Sequence, residues 1–270
     1  MRIILLAHGW GGWRVTQWLR ARNEDIAALI VHPPDNRKYY DEIMKAAAMP
    51  DELVREAPQL REKETLDFLR SLKPDIAITA FFGYILKPDF IAIPPKGCVN
   101  IHPSYLPYNR GWHSNVWPIL DGSPAGGAIH YIDNGVDTGD VIARRKVEVT
   151  PTDNGWTVHR KCARMAIELF KEVWPSIKDG TNPRFPQEAS EATSHNKQAM
   201  DALDCIDPER EYKARDLISL LRGRTYPPYT GAYYMHEGRR VNIRIRTFYD
   251  EQLDDINRDT PGILDWDADE

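Results

Sequence analysis

The first hundred residues alternate short apolar runs with segments of helical periodicity, and no other feature limits the possible folds as strongly. The apolar runs, each predicted to be a strand, lie at 3–7, 26–31, 76–80 and 97–101. Helices are predicted between them at 14–22, 39–48 and 60–72. This rhythm is typical of βαβ crossovers. We therefore predict an α/β fold: a Rossmann-like, mostly parallel sheet with helices on both faces, plus a small C-terminal helix and β-hairpin appendage.

The pattern changes after Pro107. A helix is predicted over 112–120, strands over 127–132 and 141–149, and a long helix over 154–178 with Asp153 or Thr152 as its N-cap. A further helix is predicted over 212–221, before a hairpin of strands 232–235 and 240–247 that turns at Glu237-Gly238. The predicted organisation is a main domain over 1–180, a linker over 181–200, a small C-terminal subdomain over 201–253 and an acidic tail over 254–270.

Charge and composition narrow the classes of partner. The formal net charge of −5 disfavours a polynucleotide partner, although a local basic pocket for one pyrophosphate remains compatible with it. No apolar run approaches the ~20 residues that a membrane span requires, and no signal peptide is evident. Cys98, Cys162 and Cys205 form neither a CxxC pair nor a metal-binding set. We expect a cytoplasmic protein with reduced thiols, no membrane partner, no nucleic-acid partner and no metal.

Two polar residues end the strand predicted over 97–101. Asn100 and His102 lie two positions apart, so they face the same side of the strand, while Ile101 faces the other. Ligands of parallel α/β sheets bind beyond the carboxyl ends of the strands. An amide and an imidazole at this edge suit the stabilisation of an oxyanion and the transfer of a proton. The alternative is that both side chains only bond to loop backbone.

Two motifs together resemble one enzyme family. They are Asn100-Ile-His-Pro-Ser-Tyr-Leu-Pro-Tyr-Asn-Arg-Gly111 and, farther along, Gly135-Val-Asp-Thr-Gly-Asp140. The chain resembles the folate-dependent formyltransferases over about residues 1–180, which would make the main domain the catalytic one. The family includes methionyl-tRNA, glycinamide ribonucleotide and sugar N-formyltransferases. The resemblance implies transfer of a formyl group from N10-formyltetrahydrofolate, as co-substrate, to a primary amine.

The resemblance also implies a catalytic trio of Asn100, His102 and Asp137. Asn100 would donate to the developing oxyanion, and His102 would donate to it or relay a proton. Asp137 would orient the imidazole and pass a proton through water. Without the family context, Asp137 could equally be a carboxylate that stabilises a turn. Asp140 is expected to be structural.

A folate site is implied at two loops. In relatives the pterin lies against loop backbone, and Gly83 and Gly135 would let the backbone approach a flat heterocycle closely. The alternative is that the aromatic and aliphatic side chains of the first loop simply anchor it to the core. The residues predicted to bind the folate are Phe82, Gly83, Tyr84, Ile85, Leu86, Asn134 and Gly135.

A phosphate-binding role is possible in the first two βα loops. The turn Gly9-Trp-Gly-Gly12 follows the first strand, where a helix N-terminus could hold a phosphate. It does not match the dinucleotide pattern, and a simple tight turn is the other reading. The loop Asn36-Arg-Lys38 could contact phosphate or could be a charged loop in solvent.

Three details favour a nucleotide-linked amino sugar (GDP- or dTDP-linked) as the acceptor. The sequence Pro107 to Trp117 resembles sugar N-formyltransferases more than the tRNA enzyme. The short region after the linker differs from the basic barrel domain of the tRNA enzyme. The segment Leu221 to Tyr233 resembles the C-terminal segment of sugar N-formyltransferases. The alternative is that its arginines lie at the C-terminal end of a helix because the helix dipole favours positive charge there. The predicted substrate contacts are Gly9, Gly11, Gly12, Arg37, Lys38, Ser104, Tyr108, Asn109, Arg110, His113, Arg224, Tyr226 and Tyr229.

Other functions on the same fold stay open at this point. They are the formylation of methionyl-tRNA or another amine, the hydrolysis of formyl-folate, and a non-catalytic folate- or nucleotide-binding module. A pure binder has no need of all three residues of the trio. The C-terminal hairpin could cap the sheet or form a homodimer.

Overall fold

The computed structural model describes residues 1–252, so the predicted acidic tail lies outside the described residues. The chain forms eleven strands within this range: β1 Arg2–Ala7, β2 Asp25–Val31, β3 Val54–Glu56, β4 Ile76–Ala80, β5 Cys98–His102, β6 Arg110–Gly111, β7 Ala125–Tyr131, β8 Val141–Val147, β9 Ser194–His195, β10 Tyr233–His236 and β11 Arg239–Asn242. The helices are α1 Gly9–Ala21, α2 Tyr40–Ala47, α3 Lys63–Ser71, α4 Pro88–Ile91, α5 Trp117–Asp121, α6 Gly155–Asp179, α7 Lys197–Asp204 and α8 Ala214–Arg224. Short 3-10 turns occur at Pro34–Asn36, Asp51–Leu53, Ala57–Arg61, Ala189–Glu191 and Asp250–Gln252.

Seven strands form one mixed sheet in the order β3-β2-β1-β4-β5-β7-β8. The first five of these are parallel, whereas β7 runs antiparallel to both β5 and β8. Strands β10 and β11 form the predicted C-terminal hairpin. The predicted fold class is therefore confirmed. The order changes direction at β1 and β4, so a crevice opens at the carboxyl ends of the central strands.

Both faces of the sheet are buried, which explains the continuous apolar runs. Alternate residues of β1 enter different cores: Ile3 and Leu5 pack with α1 and α6, while Ile4 and Leu6 pack on the opposite face with α3. All four side chains are fully buried. Within residues 1–252, no helix combines the length and the apolar composition needed to cross a bilayer.

Several element boundaries differ from the predictions. The first helix begins at Gly9 rather than residue 14, so the predicted glycine turn is its first turn. The helix predicted over 112–120 begins only at Trp117. The N-cap of α6 is Asn154, whose side chain accepts hydrogen bonds from Trp156 N and Thr157 N. The short β3 was not predicted, and the segment predicted as a linker contains β9 and the start of α7.

Candidate active site

A cavity of about 1050 Å³ opens at the carboxyl ends of β1, β4 and β5. Asn100 and His102, at the end of β5, line it together with Asp137 from the loop between β7 and β8. Because β7 pairs antiparallel with β5, the loop that follows β7 begins beside Cys98, and Asp137 within this loop lies 3.6 Å from His102. The three residues of the predicted trio therefore come together in one cavity.

The Asn100 amide is fixed at both ends. Its Oδ1 accepts from the Thr79 hydroxyl at 2.6 Å, and its Nδ2 lies 3.1 Å from His130 Nε2. His130 Nδ1 lies 2.8 Å from the Tyr131 carbonyl oxygen, which can only accept, so Nδ1 carries the proton and Nε2 accepts from Asn100. This arrangement leaves the second N–H of Asn100 for a ligand.

Asp137 lies between two imidazoles. Its Oδ2 is 3.6 Å from His102 Nε2, and its Oδ1 is 3.8 Å from His130 Nε2. The Gly111 N–H donates to Asp137 Oδ2 at 3.0 Å. Asp137 adopts a left-handed backbone conformation with φ of 55°, which Asp tolerates better than most residues. The carboxylate is thus held in the cavity by its backbone conformation and by one main-chain donor.

The local electrostatics keep Asp137 ionised beside an uncharged His130. Burial alone would raise the pKa of Asp137, but His102, His130 and the Gly111 N–H outweigh it, and the pKa lies below its ordinary value. Burial, followed by repulsion from His102, lowers the pKa of His130 to about 4. Near neutral pH, Asp137 is therefore ionised and His130 is uncharged.

The imidazole of His102 is partly buried, and its Nε2 atom is suited to a ligand-binding site. Among the described residues, no polar atom is in hydrogen-bonding geometry with its Nε2. Such a nitrogen normally has a partner, so a bound substrate would supply one. The side-chain donors of His102, His130 and Asp137 lie within 4.8 Å of one another, a set that could also hold a metal ion. The expectation of no metal stays a prediction.

The loops predicted to bind folate form one wall of the cavity. Phe82, Gly83, Tyr84, Ile85 and Leu86 all line it, as does Gly135. A Cβ on Gly83 would meet only His32, at 3.9 Å, so the backbone there is open. The side chain of Ile85 is 69% exposed, whereas Leu86 is buried in the core. The loop thus combines an anchored end with an exposed end at the cavity.

A second wall of the cavity is largely aromatic. Trp156 and His159 of α6 meet Tyr226, whose ring lies 5.2 Å from Trp156 and 5.5 Å from Tyr229. Tyr229 also contacts Lys38, whose ammonium lies 4.8 Å from the centre of its ring. The wall therefore joins the loop after β2 to the segment after α8. Gly9, Gly11, Arg110 and His113 line the same cavity.

Gly11 and Gly12 serve packing in this structure. A Cβ on Gly11 would lie 2.2 Å from the ring of Phe81, and one on Gly12 would lie 3.0 Å from the backbone of Ala7. Both glycines let α1 approach the sheet closely.

Several residues predicted to bind substrate or folate do not line the cavity. Arg37 is bonded to Glu56 at 2.8 Å, and Arg224 forms two bonds with Asp204 in a pair that is 11% and 13% exposed. Asn109 is fully buried. Gly12 of α1 and the loop residues Ser104, Tyr108 and Asn134 do not line the cavity either.

Sequence reasoning missed several residues that line the cavity, among them His130 and Trp156. His130 lies inside an otherwise apolar strand, and that single buried polar residue was the available signal. Trp156 lies in the first turn of α6, where its apolar character suggested only core packing. Neither residue belongs to a motif that stands out.

The fold and the site are those of an α/β enzyme whose amide, imidazole and carboxylate side chains come together in one cavity. The Formyl transferase family model matches residues 1–174, and the N-formyltransferase dimerization C-terminal domain matches residues 199–247. The chain therefore belongs to the formyl transferase family. It is a folate-dependent N-formyltransferase, and its formyl donor is N10-formyltetrahydrofolate. The predicted family, enzyme class and co-substrate are confirmed.

The relatives found by sequence are named methionyl-tRNA formyltransferases, whereas the solved structures described below are named N-formyltransferases. Methionyl-tRNA formyltransferase of Acetivibrio thermocellus is 31% identical over 212 residues, which cover 78% of this chain and 66% of that enzyme. The same enzyme of Staphylococcus aureus (strain MW2) is 29% identical over 249 residues, covering 89% and 76%. This chain thus spans about two thirds to three quarters of their lengths.

Solved structures share the fold over more of the chain. A 4-N formyltransferase from Francisella tularensis has a TM-score of 0.78 at 22% identity, covering 92% of this chain and 98% of that chain. The N-formyltransferase from Helicobacter canadensis, solved with folinic acid and dTDP-3-aminofucose, has a TM-score of 0.70 at 17% identity, covering 88% and 85%. These similarities establish the fold.

Proposed function

We propose that the protein transfers the formyl group of N10-formyltetrahydrofolate to the primary amine of a nucleotide-linked amino sugar. One observation carries this proposal. Asn100, His102 and Asp137 share one cavity with two different linings: a loop wall at residues 81–86 and an aromatic wall at Trp156 and the tyrosines after α8. One cavity thus offers two ligands two different surfaces together with the same three side chains.

In the proposed reaction the acceptor amine attacks the formyl carbon. A C–N bond to the acceptor forms, the bond from carbon to N10 of the folate breaks, and one proton moves from the amine to N10. Asn100 donates its second N–H to the formyl oxygen, which becomes negative in the tetrahedral intermediate. His102 donates to the same oxygen or relays the proton. No oxidant or reductant is needed.

Asp137 suits the transfer of the proton. Its pKa lies below the ordinary value, so it is a carboxylate when the neutral amine arrives. A carboxylate 3.6 Å from His102 Nε2 can orient the imidazole toward the substrate. Their present separation is longer than a hydrogen bond and would shorten in the loaded complex.

The formyl-folate is proposed to lie along the loop wall. The residues that would flank the pterin all line the cavity: Phe82, Gly83, Tyr84, Ile85, Leu86 and Gly135. The open backbone at Gly83 suits a flat ring that is recognised by main-chain groups.

The nucleotide acceptor is proposed to lie along the aromatic wall. Tyr226 and Tyr229 offer flat faces for a base or sugar, and Lys38 offers a cation for a phosphate. The Helicobacter canadensis neighbour was solved with a nucleotide-linked amino sugar, which supports this class of acceptor. Arg224 is not included because Asp204 already binds it.

Two further predictions belong to the proposal. We place the protein in the cytoplasm, in line with its three cysteines, which are free in the described structure. We also propose a homodimer, because the region 199–247 matches a dimerization domain. Light scattering after size-exclusion chromatography measures the mass directly, and a monomer at micromolar concentration would contradict the dimer.

The deciding experiment supplies formyl-folate and a panel of GDP- and dTDP-linked amino sugars to the purified protein. Tetrahydrofolate and a formamido product, which is heavier than the amine by one CO unit in mass spectrometry, are expected with a subset of the panel. Reactions without any amine measure hydrolysis of the donor. Formyl transfer to none of the sugars would refute the proposed acceptor.

Methionyl-tRNA is the second candidate acceptor, because the sequence relatives are methionyl-tRNA formyltransferases. The net charge of −5 weighs against a polynucleotide ligand. Charged initiator tRNA is therefore included in the panel. Its formylation in preference to every amino sugar would assign the chain to that function instead.

A further inference from the structure

The segment between the two matched regions contacts the active-site loops. Residues 175–198 belong to neither matched region. The end of this segment was predicted to be a linker, yet residues 187–195, here called the brace, touch the cavity wall at two points. The first is Gln187, which is partly buried while its immediate neighbours are exposed. The second is the short strand β9.

Gln187 connects two loops of the active site. Its Oε1 accepts from Arg110 Nε at 3.1 Å and from Arg110 Nη2 at 2.7 Å. Its Nε2 donates to the carbonyl oxygens of Asp137 and Gly139, at 2.8 and 2.7 Å. Both N–H groups of the amide are therefore used on the loop that carries the proposed catalytic carboxylate.

The strand β9 holds the neighbouring loop. It pairs in parallel with Arg110 and Gly111, and a Cβ on Gly111 would lie 2.6 Å from the His195 carbonyl oxygen. His195 also stacks on Trp117, with ring centres 3.7 Å apart, and its Nε2 lies 3.1 Å from Asn109 Oδ1. The close approach explains why residue 111 is glycine.

Both contacts lead to Asp137. Gln187 holds the Asp137 carbonyl oxygen by a hydrogen bond. Strand β9 holds Gly111, whose N–H donates to the Asp137 carboxylate. We propose that the brace positions Asp137 for catalysis and that Gln187 is its principal positioning residue. This inference rests on the proposed role of Asp137 in proton transfer.

The physical need for a brace follows from the local backbone. Asp137 has φ of 55°, a conformation that a non-glycine residue keeps only when its surroundings enforce it. The amide of Gln187 supplies part of that enforcement. Losing it would let the carboxylate move away from His102, and a displacement of about 1 Å can cost up to about 10²-fold in rate.

The test compares Gln187→Met and Gln187→Glu with the matched control Gln198→Met, which replaces an exposed glutamine in α7. Methionine keeps the length of the side chain but removes both polar ends. Glutamate can still accept from Arg110 but cannot donate to the two carbonyls. We expect kcat to fall about tenfold or more in both Gln187 variants, with the KM for formyl-folate changed by less than about twofold. Gln198→Met should match the wild type.

A crystal structure of Gln187→Met gives a readout that does not depend on activity. We expect the 3.0 Å bond from Gly111 N to Asp137 Oδ2 to be lost or the Asp137 backbone to leave its left-handed conformation. Wild-type kcat in Gln187→Glu, or an unchanged Asp137 in the methionine variant, would overturn the inference. A wild-type chain that formylates no amine would refute the proposed function, while the crystal structure would still test the brace.

Discussion

The rim at the end of β5 and the aromatic wall after α8 contribute to one cavity but are built differently. At the rim, both ends of the Asn100 amide are bonded, and its partner His130 is almost fully buried. On the wall, Tyr229 is 50% exposed, and its ring contacts include Tyr226 and Lys38. A rigid, hydrogen-bonded rim suits a reaction that demands fixed geometry. An aromatic wall with an exposed tyrosine suits the selection of the acceptor.

The largest effect is expected at the rim. Asn100→Ala should lower kcat by roughly 10²–10³-fold, because it removes a preorganised donor to the oxyanion. The control Asn242→Ala changes an exposed asparagine on β11 and should leave the rate unchanged. Steady-state rates with the acceptor found in the panel provide the measurement. Near-normal turnover in a folded Asn100→Ala protein would show that the rim does not carry the chemistry.

Asp137→Asn should lower kcat on the order of 10²-fold, since the amide cannot accept the proton that the carboxylate handles. The matched control is Asp140→Asn in the same motif, where the side chain pairs with Arg184 at the surface. That control should retain most of the activity. Equal losses in the two variants would mean that Asp137 serves only the loop structure.

Tyr229→Ala tests the wall and should raise the KM for the nucleotide acceptor roughly 2- to 10-fold, the range expected for loss of one aromatic contact. The kcat and the KM for formyl-folate should change little. Tyr249→Ala removes a tyrosine of similar exposure and serves as the control. An unchanged acceptor KM in Tyr229→Ala would separate the wall from acceptor binding.

The smallest effect concerns stability and pH. Burial lowers the pKa of His32 from its ordinary value of 6.5 to about 4. Between these two values the unfolded chain binds more protons than the folded one, so stability should fall as the pH is lowered through this window. His32→Phe should show a smaller fall in Tm than the wild type when the pH is lowered through this window. The control His236→Gln, at an exposed position, should show the same fall as the wild type. An identical pH dependence in all three proteins would contradict the role of burial.

The sequence predicted the central elements of the site because they depend on local order along the chain. A strand places Asn100 and His102 on one side, and the carboxyl end of a parallel strand places them at the crevice. It did not predict the engagement of Arg224 by Asp204, or the burial of Asn109 against Ser123 and His195. Those partners come from elements whose relative placement no local pattern encodes.

Periodicity and motifs by themselves determined the α/β class, the family and the approximate location of the proposed catalytic residues, because each follows from short-range spacing. The tertiary structure decided which polar groups remain free to meet a ligand. His130 bonds to Asn100, and Gln187 bonds to the backbone of Asp137. Arg37 pairs with Glu56 and does not line the cavity. A hydrogen bond between distant segments depends on how the whole chain packs, so only the folded molecule defines it.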